Sequence, residues 1–306
     1  ALPISDSSFF GPRQRLQFDA LYERSFSNTR GDDAEIGAAV VLPNEPWGGQ
    51  FNFKQIGQNF YPALGFVNRP NIRFFDGFFK HRDRWRDDVL HWADVGTEWT
   101  VYTDLHGNLE SRQNGVYAAV QTDENDQFQI HVFNSHENVE KKFNLPQKVP
   151  VLAGSYDWNH VELVLRTTQS RSYFVQWDVD CCRIYNGNYL KSSLSIDYLF
   201  NETWGAVLQH TMTLFDLPTG QVNVHIFDLS ATTNFTPDMH IDSQFQWDNI
   251  TNRFGALLRY RWEYEPGSEL FASLGEMAFI DGPVWTPHYK SNNTRAQIRL
   301  GHTFQF

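Results

Sequence analysis

The sequence predicts an all-β fold: a transmembrane, antiparallel, up-and-down β-barrel of about 16 strands. Three observations predict it. The C-terminal run Arg295-Ala-Gln-Ile-Arg-Leu-Gly-His-Thr-Phe-Gln-Phe306 alternates without a slip and stops on an aromatic residue. Ala296, Ile298, Leu300, His302, Phe304 and Phe306 fall on one face of a strand, and Arg295, Gln297, Arg299, Thr303 and Gln305 on the other, because side chains alternate along an extended chain. Second, 26 Phe, 12 Tyr and 10 Trp exceed what an ordinary soluble core needs and suit aromatic girdles at two membrane interfaces. Third, alternating segments recur along the whole chain, one per roughly 19 residues, the repeat of porin-sized hairpins.

A mean hydropathy of -0.48 looks like that of a soluble protein. A barrel has the same value, because only every second strand residue faces lipid and no window becomes continuously apolar. No run of ~18 apolar residues occurs, which excludes a helical span. The ordinary competing reading is a large soluble β-sandwich.

Taken in order, the expected strands begin with Arg15–Phe26, Ala34–Leu42, Gln50–Ile56, Asn71–Arg82, Val89–Thr103, Leu109–Thr122, Gln127–Phe133 and Trp158–Thr167, each an alternating segment bounded by turn formers. The second half opens with Ser172–Ile184, whose Tyr173, Val175, Trp177 and Val179 point outward while Gln176, Asp178 and Asp180 point inward. Tyr189–Phe200 follows, with Leu194, Ile196, Tyr198 and Phe200 against Ser193, Ser195 and Asp197. Trp204–Phe215 and Val222–Phe235, which carries Asp228, come next. In His240–Asp248, Ile241, Ser243, Phe245 and Trp247 oppose His240, Asp242, Gln244, Gln246 and Asp248. In Arg253–Glu265, Phe254, Ala256, Leu258, Tyr260, Trp262 and Tyr264 oppose Arg253, Arg259, Arg261, Glu263 and Glu265. Glu269–Phe279 and Thr294–Phe306 close the series. A charged Arg or Lys on the lipid face near the midplane would cost ~2–4 kcal/mol, so the inward placement of charge is what stability demands.

Connections test the count. With the last strand descending to the periplasm, the outside loops include Gly57–Pro70, Asn134–Asp157 and Phe279–Asn293, the longest in the chain. The inside turns include Thr122–Gln127, Thr168–Ser172, Thr236–Met239 and Glu265–Ser268, short and rich in turn formers, as barrels of this class require. Residues 1–14 are expected to form an N-terminal periplasmic segment and residues 15–306 the barrel. The start at Ala1-Leu2-Pro3, with no charged or apolar leader, reads as a mature exported chain.

The net charge of -11 and the lack of a basic stripe argue against nucleic acid. The only cysteines, Cys181 and Cys182, are neighbours; a regular strand would point them to opposite faces, so free thiols are expected.

Four segments carry a resemblance covering residue 15 to the C-terminus: Gly57-Gln-Asn-Phe-Tyr-Pro-Ala-Leu-Gly-Phe-Val-Asn-Arg69, Tyr156-Asp-Trp158, Leu217-Pro-Thr-Gly220 and Arg261-Trp-Glu-Tyr-Glu-Pro-Gly-Ser-Glu-Leu-Phe271, followed by the aromatic-terminated strand. With them the chain resembles an uncharacterised family of Gram-negative outer-membrane β-barrel domains. Its longer members carry an N-terminal domain similar to family 9 carbohydrate-binding modules, which these 306 residues do not include, either through truncation or processing or because this version never had it. The resemblance implies an outer-membrane barrel in contact with lipid and lipopolysaccharide; it brings no substrate, catalytic residue or cofactor.

The site expected from the residues is therefore a charged lumen. Its lining would be Asp178, Asp180, Asp197, Asp228, His240, Asp242, Asp248, Arg259, Arg261, Glu263, Arg295 and Arg299, with arginines on the strands 253–265 and 294–306 facing aspartates elsewhere. Opposed charge walls sort small polar solutes. The expected function is a porin-like or substrate-specific passive channel, with loop Asn134–Asp157 or Gly57–Pro70 folded inward as a constriction. The alternative is a structural barrel that anchors or sheathes a secreted protein, lipoprotein or electron carrier, favoured if His160, Phe174, Arg259 and Arg261 fill the lumen. An outer-membrane hydrolase is more remote: His160 with Glu162, His240 with Asp242, and Asp178 with Asp180 share a face but carry no motif beyond adjacency. No cofactor or metal is expected, since Asp32-Asp33, Asp87-Asp88 and Asp123-Glu124-Asn125-Asp126 read as solvated turns. Arg82, Arg84 and Arg86 interleave with Asp83, Asp87 and Asp88 at a periplasmic turn; the readings are a docking site for a periplasmic partner or, favoured by the near cancellation of charge, a self-neutralised turn. A homo-oligomer of the porin type would need a flat lipid-facing patch of small residues, for which Gly37–Ala39 and Gly115–Ala119 are the candidates.

Overall fold

The structure, a computed structural model, describes residues 15–62, 65–85, 89–281 and 288–303. Its strands are β1 Gln17–Ser25, β2 Asp33–Leu42, β3 Trp47–Ile56, β4 Ile72–Arg84, β5 Leu90–Asp104, β6 Leu109–Thr122, β7 Gln127–Val139, the short β8 Phe143–Asn144 and β9 Pro150–Val151, β10 Gly154–Arg166, β11 Tyr173–Ile184, β12 Gly187–Leu199, β13 Trp204–Leu217, β14 Gly220–Thr236, β15 Met239–Asp248, β16 Arg253–Glu265, β17 Ser268–Asp281 and β18 His288–Gly301. All but β8 and β9 form one 16-stranded sheet in chain order, antiparallel throughout its resolved ladders; β8 and β9 pair separately. A 3₁₀ turn at Pro146–Lys148 is the one helical element among the described residues. No helix is long and apolar enough to cross a membrane. Among the described residues no ladder joins the first strand to the last.

The strand count and chain order agree with the alternation, and several boundaries move. β7 continues to Val139 and β10 begins at Gly154, so the loop expected over Asn134–Asp157 is residues 140–153. β17 runs to Asp281 and β18 starts at His288, leaving residues 282–287, outside the described set, where a loop from Phe279 to Asn293 was expected. Arg82 and Arg84 lie within β4 and not in a turn. His302 and Thr303 follow β18 as non-strand residues. Residues 1–14, Arg86 to Asp88 and Phe304 to Phe306 lie outside the described residues.

The chain divides into two compact units: residues 1–143, 151–163 and 181–188, and residues 144–150, 164–180 and 189–306. In the first unit, directly paired residues of an antiparallel ladder share a face, so the registers define two faces across β1 to β7. Phe18, Tyr22, Ile36, Phe51, Phe79, Val95, Val116, Phe128 and Val132 all fall on one of them, and every one is exposed. Ser25, Glu35, Asp94 and Ser135, all buried, fall on the other. That face also holds the buried Ile56, Ile72, Trp92 and Phe133 and the exposed Leu21, but most of the exposed large apolar side chains of these strands lie on the opposite one, which a β-sandwich would cover.

The polar face of this unit is lined closely. Tyr117, His131 and Phe133 stack in sequence, with centroids 5.2 and 5.8 Å apart, and His160 of β10 adds to Phe133 at 4.9 Å. The rings lie flat because the neighbouring strand offers glycine beneath them: a Cβ on Gly96 would meet Tyr117 at 2.6 Å, and one on Gly115 would meet Phe133 at 2.4 Å. Gly37 and Ala39, with Gly115 and Ala119, also belong to this polar face. Of the small-residue patches expected on the lipid-facing side, only Ala38 and Ala118 lie on the apolar face, because the period of two sends Gly37, Ala39, Gly115 and Ala119 to the polar one.

Cys181 and Cys182, at the end of β11, are joined in a disulfide, against the expectation of free thiols. Their Cα atoms are 3.3 Å apart, closer than the regular strand spacing on which that expectation rested.

In the second unit the registers of β13 to β18 again define two faces. Leu208, Phe227, Leu229, Leu258, Trp262, Leu274, Ile298 and Leu300 are exposed and share one of them.

Candidate functional site

The polar face of the second unit gathers the expected lining residues. Cross-strand pairs run Asp228–Gln246–Gly255–Met277–Asn293, Gln244–Leu257–Gly275–Arg295, Asp242–Arg259–Ser273–Gln297 and His240–Arg261–Phe271–Arg299. Glu263 stands opposite Glu269, and Asp248 opposite Ile226. Asp228, His240, Asp242, Asp248, Arg259, Arg261, Glu263, Arg295 and Arg299 thus share one face. Tyr189 packs on Phe215 at 5.1 Å, and this places Tyr189, and Asp197 in the same alternation of β12, on that face too. Trp177 donates through Nε1 to Ser192 Oγ at 2.9 Å, fixing those two on the opposite face, so Asp178 turns to the polar side, where Gln176 donates to it at 2.7 Å. Asp180 follows Asp178 in the same alternation of β11.

Hydrogen bonds show which of these carboxylates and arginines are already engaged. Asp228 accepts from Ser230 and from Gln244, each at 3.0 Å, and Asp242 accepts from Thr232 at 3.1 Å with His240 at 3.8 Å. Asp248 caps a turn, accepting from the Ile250 and Thr251 amides and the Thr251 hydroxyl. Arg261 pairs with Glu269 at 3.0 Å and with Glu263 at 3.7 Å, and Arg299 also pairs with Glu269. The positive wall expected from the sequence is therefore partly neutralised where it stands. Glu269, which pattern reasoning passed over as the first residue of a strand, is the reason. Arg259 and Arg295 make no hydrogen bond or ion pair among the described residues.

In the first unit the polar face carries its own network. Asn52 donates to Asp76 at 3.0 Å and receives Gln50 at 2.9 Å; Lys54 pairs with Glu35 at 2.7 Å; His131 meets Glu98 at 2.5 Å. His160, considered for catalysis, hydrogen-bonds Ser135 Oγ at 3.1 Å and stacks on Phe133. Over this face lies the connection between β3 and β4. Its Phe60, 6% exposed, packs with Ile56 and Ile72, and Val67, Phe74 and Tyr102 surround them. Ile56, Ile72, Phe74 and Tyr102 are all polar-face residues by register. The loop is tied by the Tyr61 amide to Ser25 Oγ at 3.0 Å and by the Asn59 amide to Asp33 at 2.9 Å. Arg69 lies over the Tyr102 ring at 5.0 Å and reaches Ser111 at 3.3 Å and Glu137 at 3.8 Å, again on the polar face. Phe60, Tyr61 and Arg69 of this connection thus rest against polar-face residues of their unit.

The arginines of the expected periplasmic turn find partners beyond their sequence neighbours. Arg82 grips Asp94 of β5, which Lys80 also reaches at 3.1 Å, and lies over Trp92 at 3.9 Å. Arg84 takes Glu45 of the β2–β3 turn with two bonds of 2.6 Å. That guanidinium holds the Glu45 carboxyl below its ordinary range. Arg82 and Arg84 are thus neutralised by Asp94 of β5 and Glu45 of the β2–β3 turn, and the rest of that run, Arg86 to Asp88, lies outside the described residues. The acidic turns are similarly occupied: Asp33 accepts from the Ala34 and Asn59 amides, Asp32 pairs with Arg24 at 3.4 Å, and Asp123 stands 3.7 Å from His91. At residues 143 to 185 of this unit, Tyr185 takes Phe143, Tyr156 and Trp158 around its ring, and burial there pushes its hydroxyl pKa up.

No protein-family model matches the chain, and no curated protein matches it.

Proposed function

We propose that the sixteen-stranded sheet closes into an outer-membrane β-barrel that acts as a porin-like or substrate-specific passive channel for small polar solutes. The observation that carries the reading is the loop of residues 57–71 held by Phe60 and Arg69 over the polar face. A loop folded there narrows a water-filled passage without closing it, and its charges, Arg69 against Glu137, set a local field in the narrowed part. The gathering of most exposed large apolar side chains of β1 to β7 on one face supports the membrane setting. Lipid and the hydrocarbon part of lipopolysaccharide cover such a face. The aromatic-terminated closing run and the loop and turn motifs from Gly57 to Phe271 fit the same family resemblance.

The sheath reading needs a lumen filled by its own side chains or by a partner. In the first unit the large polar-face rings lie flat on glycine, and this favours an open passage there. Liposome swelling distinguishes the two. Proteoliposomes holding the folded chain should swell in amino acids and small sugars at rates that fall steeply with solute size. Swelling no faster than in empty liposomes for the smallest solute contradicts the channel.

A further inference from the structure

We infer that the polar face of the second unit contains a binding recess for a small amphipathic carboxylate, an acid with a short hydrocarbon or aryl body, between β15 and β18. The inference rests on that face being solvent-filled, as the channel reading has it. The recess, ≈ 350 Å³, is lined by Gln244, Gln246, Gly255, Leu257, Gly275, Met277, Asn293 and Arg295 of this face and by Ala256 and Glu276, which the register puts on the other face, where the Glu276 carboxylate already accepts from Tyr289, Ser291 and Thr294. Its floor exists because two glycines, in adjacent rows of neighbouring strands, omit their side chains: a Cβ on Gly255 would meet nothing within 4 Å, and one on Gly275 only Leu257 at 3.8 Å.

The chemistry of the lining selects the ligand. Met277 is 44% exposed although it sits on the polar face, an uncovered thioether and methyl beside Leu257. Exposed hydrocarbon among amides and charges is costly unless something covers it. Above it, Arg295 has no partner among the described residues and offers a fork of donors shaped for a carboxylate. Asn293, two residues before Arg295 on the same strand and directly opposite Met277, is a neutral donor near the head, and Gln246 of β15, opposite Gly255, is one at the far side of the recess. Asp228, the nearest acid in these rows, is occupied by Ser230 and Gln244. An acid whose body lies on Gly255, Leu257 and Met277 and whose head meets Arg295 satisfies every unspent group. A phosphate or sugar would leave the methionine bare.

The test is methyl NMR of the refolded protein in micelles, titrated with benzoate. The chain has three methionines, and the register puts Met212 and Met239 on the apolar face and Met277 on the polar one. Site binding moves the Met277 signal saturably and leaves the other two still. Benzyl alcohol, which lacks the charge, should bind at least about tenfold more weakly, and so should benzoate to Arg295→Gln. Gly255→Leu, which enters open space, should remove the response while the Met212 and Met239 signals keep their positions. Movement of Met212 and Met239 in step with Met277 means partition into the micelle and overturns the site. An unchanged Met277 signal, or an equal affinity in Arg295→Gln, overturns it as well. Channel activity is read separately: swelling without a Met277 response removes the recess and leaves the channel, and a Met277 response without swelling does the reverse.

Discussion

Arg82 closes on Asp94 with both carboxylate oxygens engaged, Nε at 2.5 Å and Nη2 at 2.6 Å. The Asp94 side chain is 5% exposed, so the pair is held away from bulk water on the polar face of β4 and β5. Removing the acid strands two cations, Arg82 and Lys80, where solvation is poor. Asp94→Asn is expected to cost about 3 kcal/mol, read as a shift in the urea midpoint of the refolded protein. Arg82→Lys, which keeps the charge and loses the fork, should cost about 1 kcal/mol.

Leu229 and Ser230 are neighbours on β14 with opposite fates, the first on the apolar face and the second among Gln244 and Val207. If lipid covers the apolar face, Leu229→Arg costs ~2–4 kcal/mol in vesicles and Ser230→Arg costs close to nothing. Equal costs at the two positions contradict the assignment of faces.

Phe60 pins the β3–β4 loop over Ile56 and Ile72. Phe60→Ala loses about 3 kcal/mol of packing at that contact and frees the loop. Swelling rates for the larger sugars should then rise relative to those for the smallest amino acids, while strand content by circular dichroism stays constant. Arg69→Ala, which cuts the ties to Ser111 and Glu137, should act in the same direction.

Glu45 supplies the pH dependence. Its hydrogen bonds from Arg84 hold its folded pKa below the ordinary 4.5, so its contribution is complete above pH 4.5 and fades as pH falls through the lowered value. Both partners are well exposed, so the effect is small and weakens with salt. Thermal midpoints of the native chain should fall more than those of Glu45→Gln as pH is lowered below 4.5.

The alternation in Arg253–Glu265 was enough to assign both faces of β16, because Phe254, Ala256, Leu258, Tyr260, Trp262 and Tyr264 alternate with polar or small residues at every position but Leu257. Where both sides of a strand are polar, the signal vanishes while the backbone ladder continues. Asn134, Ser135, His136 and Glu137 extend β7 in full register with β6, and His288 to Asn293 extend β18 along β17 across a bulge at Asn292, yet neither stretch alternates. Pairing there is carried by N–H and C=O groups that the side chains do not report. The face that Phe60 rests on was not legible for a similar reason: it stands in an aperiodic run with Tyr61, Phe66 and Val67, and only its contacts with Ile56 and Ile72 give it a side. Glu269 was invisible as a site because its role arises from Arg261 and Arg299, one on each neighbouring strand.

A water-filled passage through a lipid-embedded sheet carries ions, and single-channel recording in a planar bilayer at ~1 M salt, where screening of surface charge is nearly complete, reads that current. A steady, ohmic conductance of porin size that increases in Phe60→Ala is expected. A protein that migrates as a folded, heat-modifiable species, enters the bilayer and passes no current in either form would contradict it.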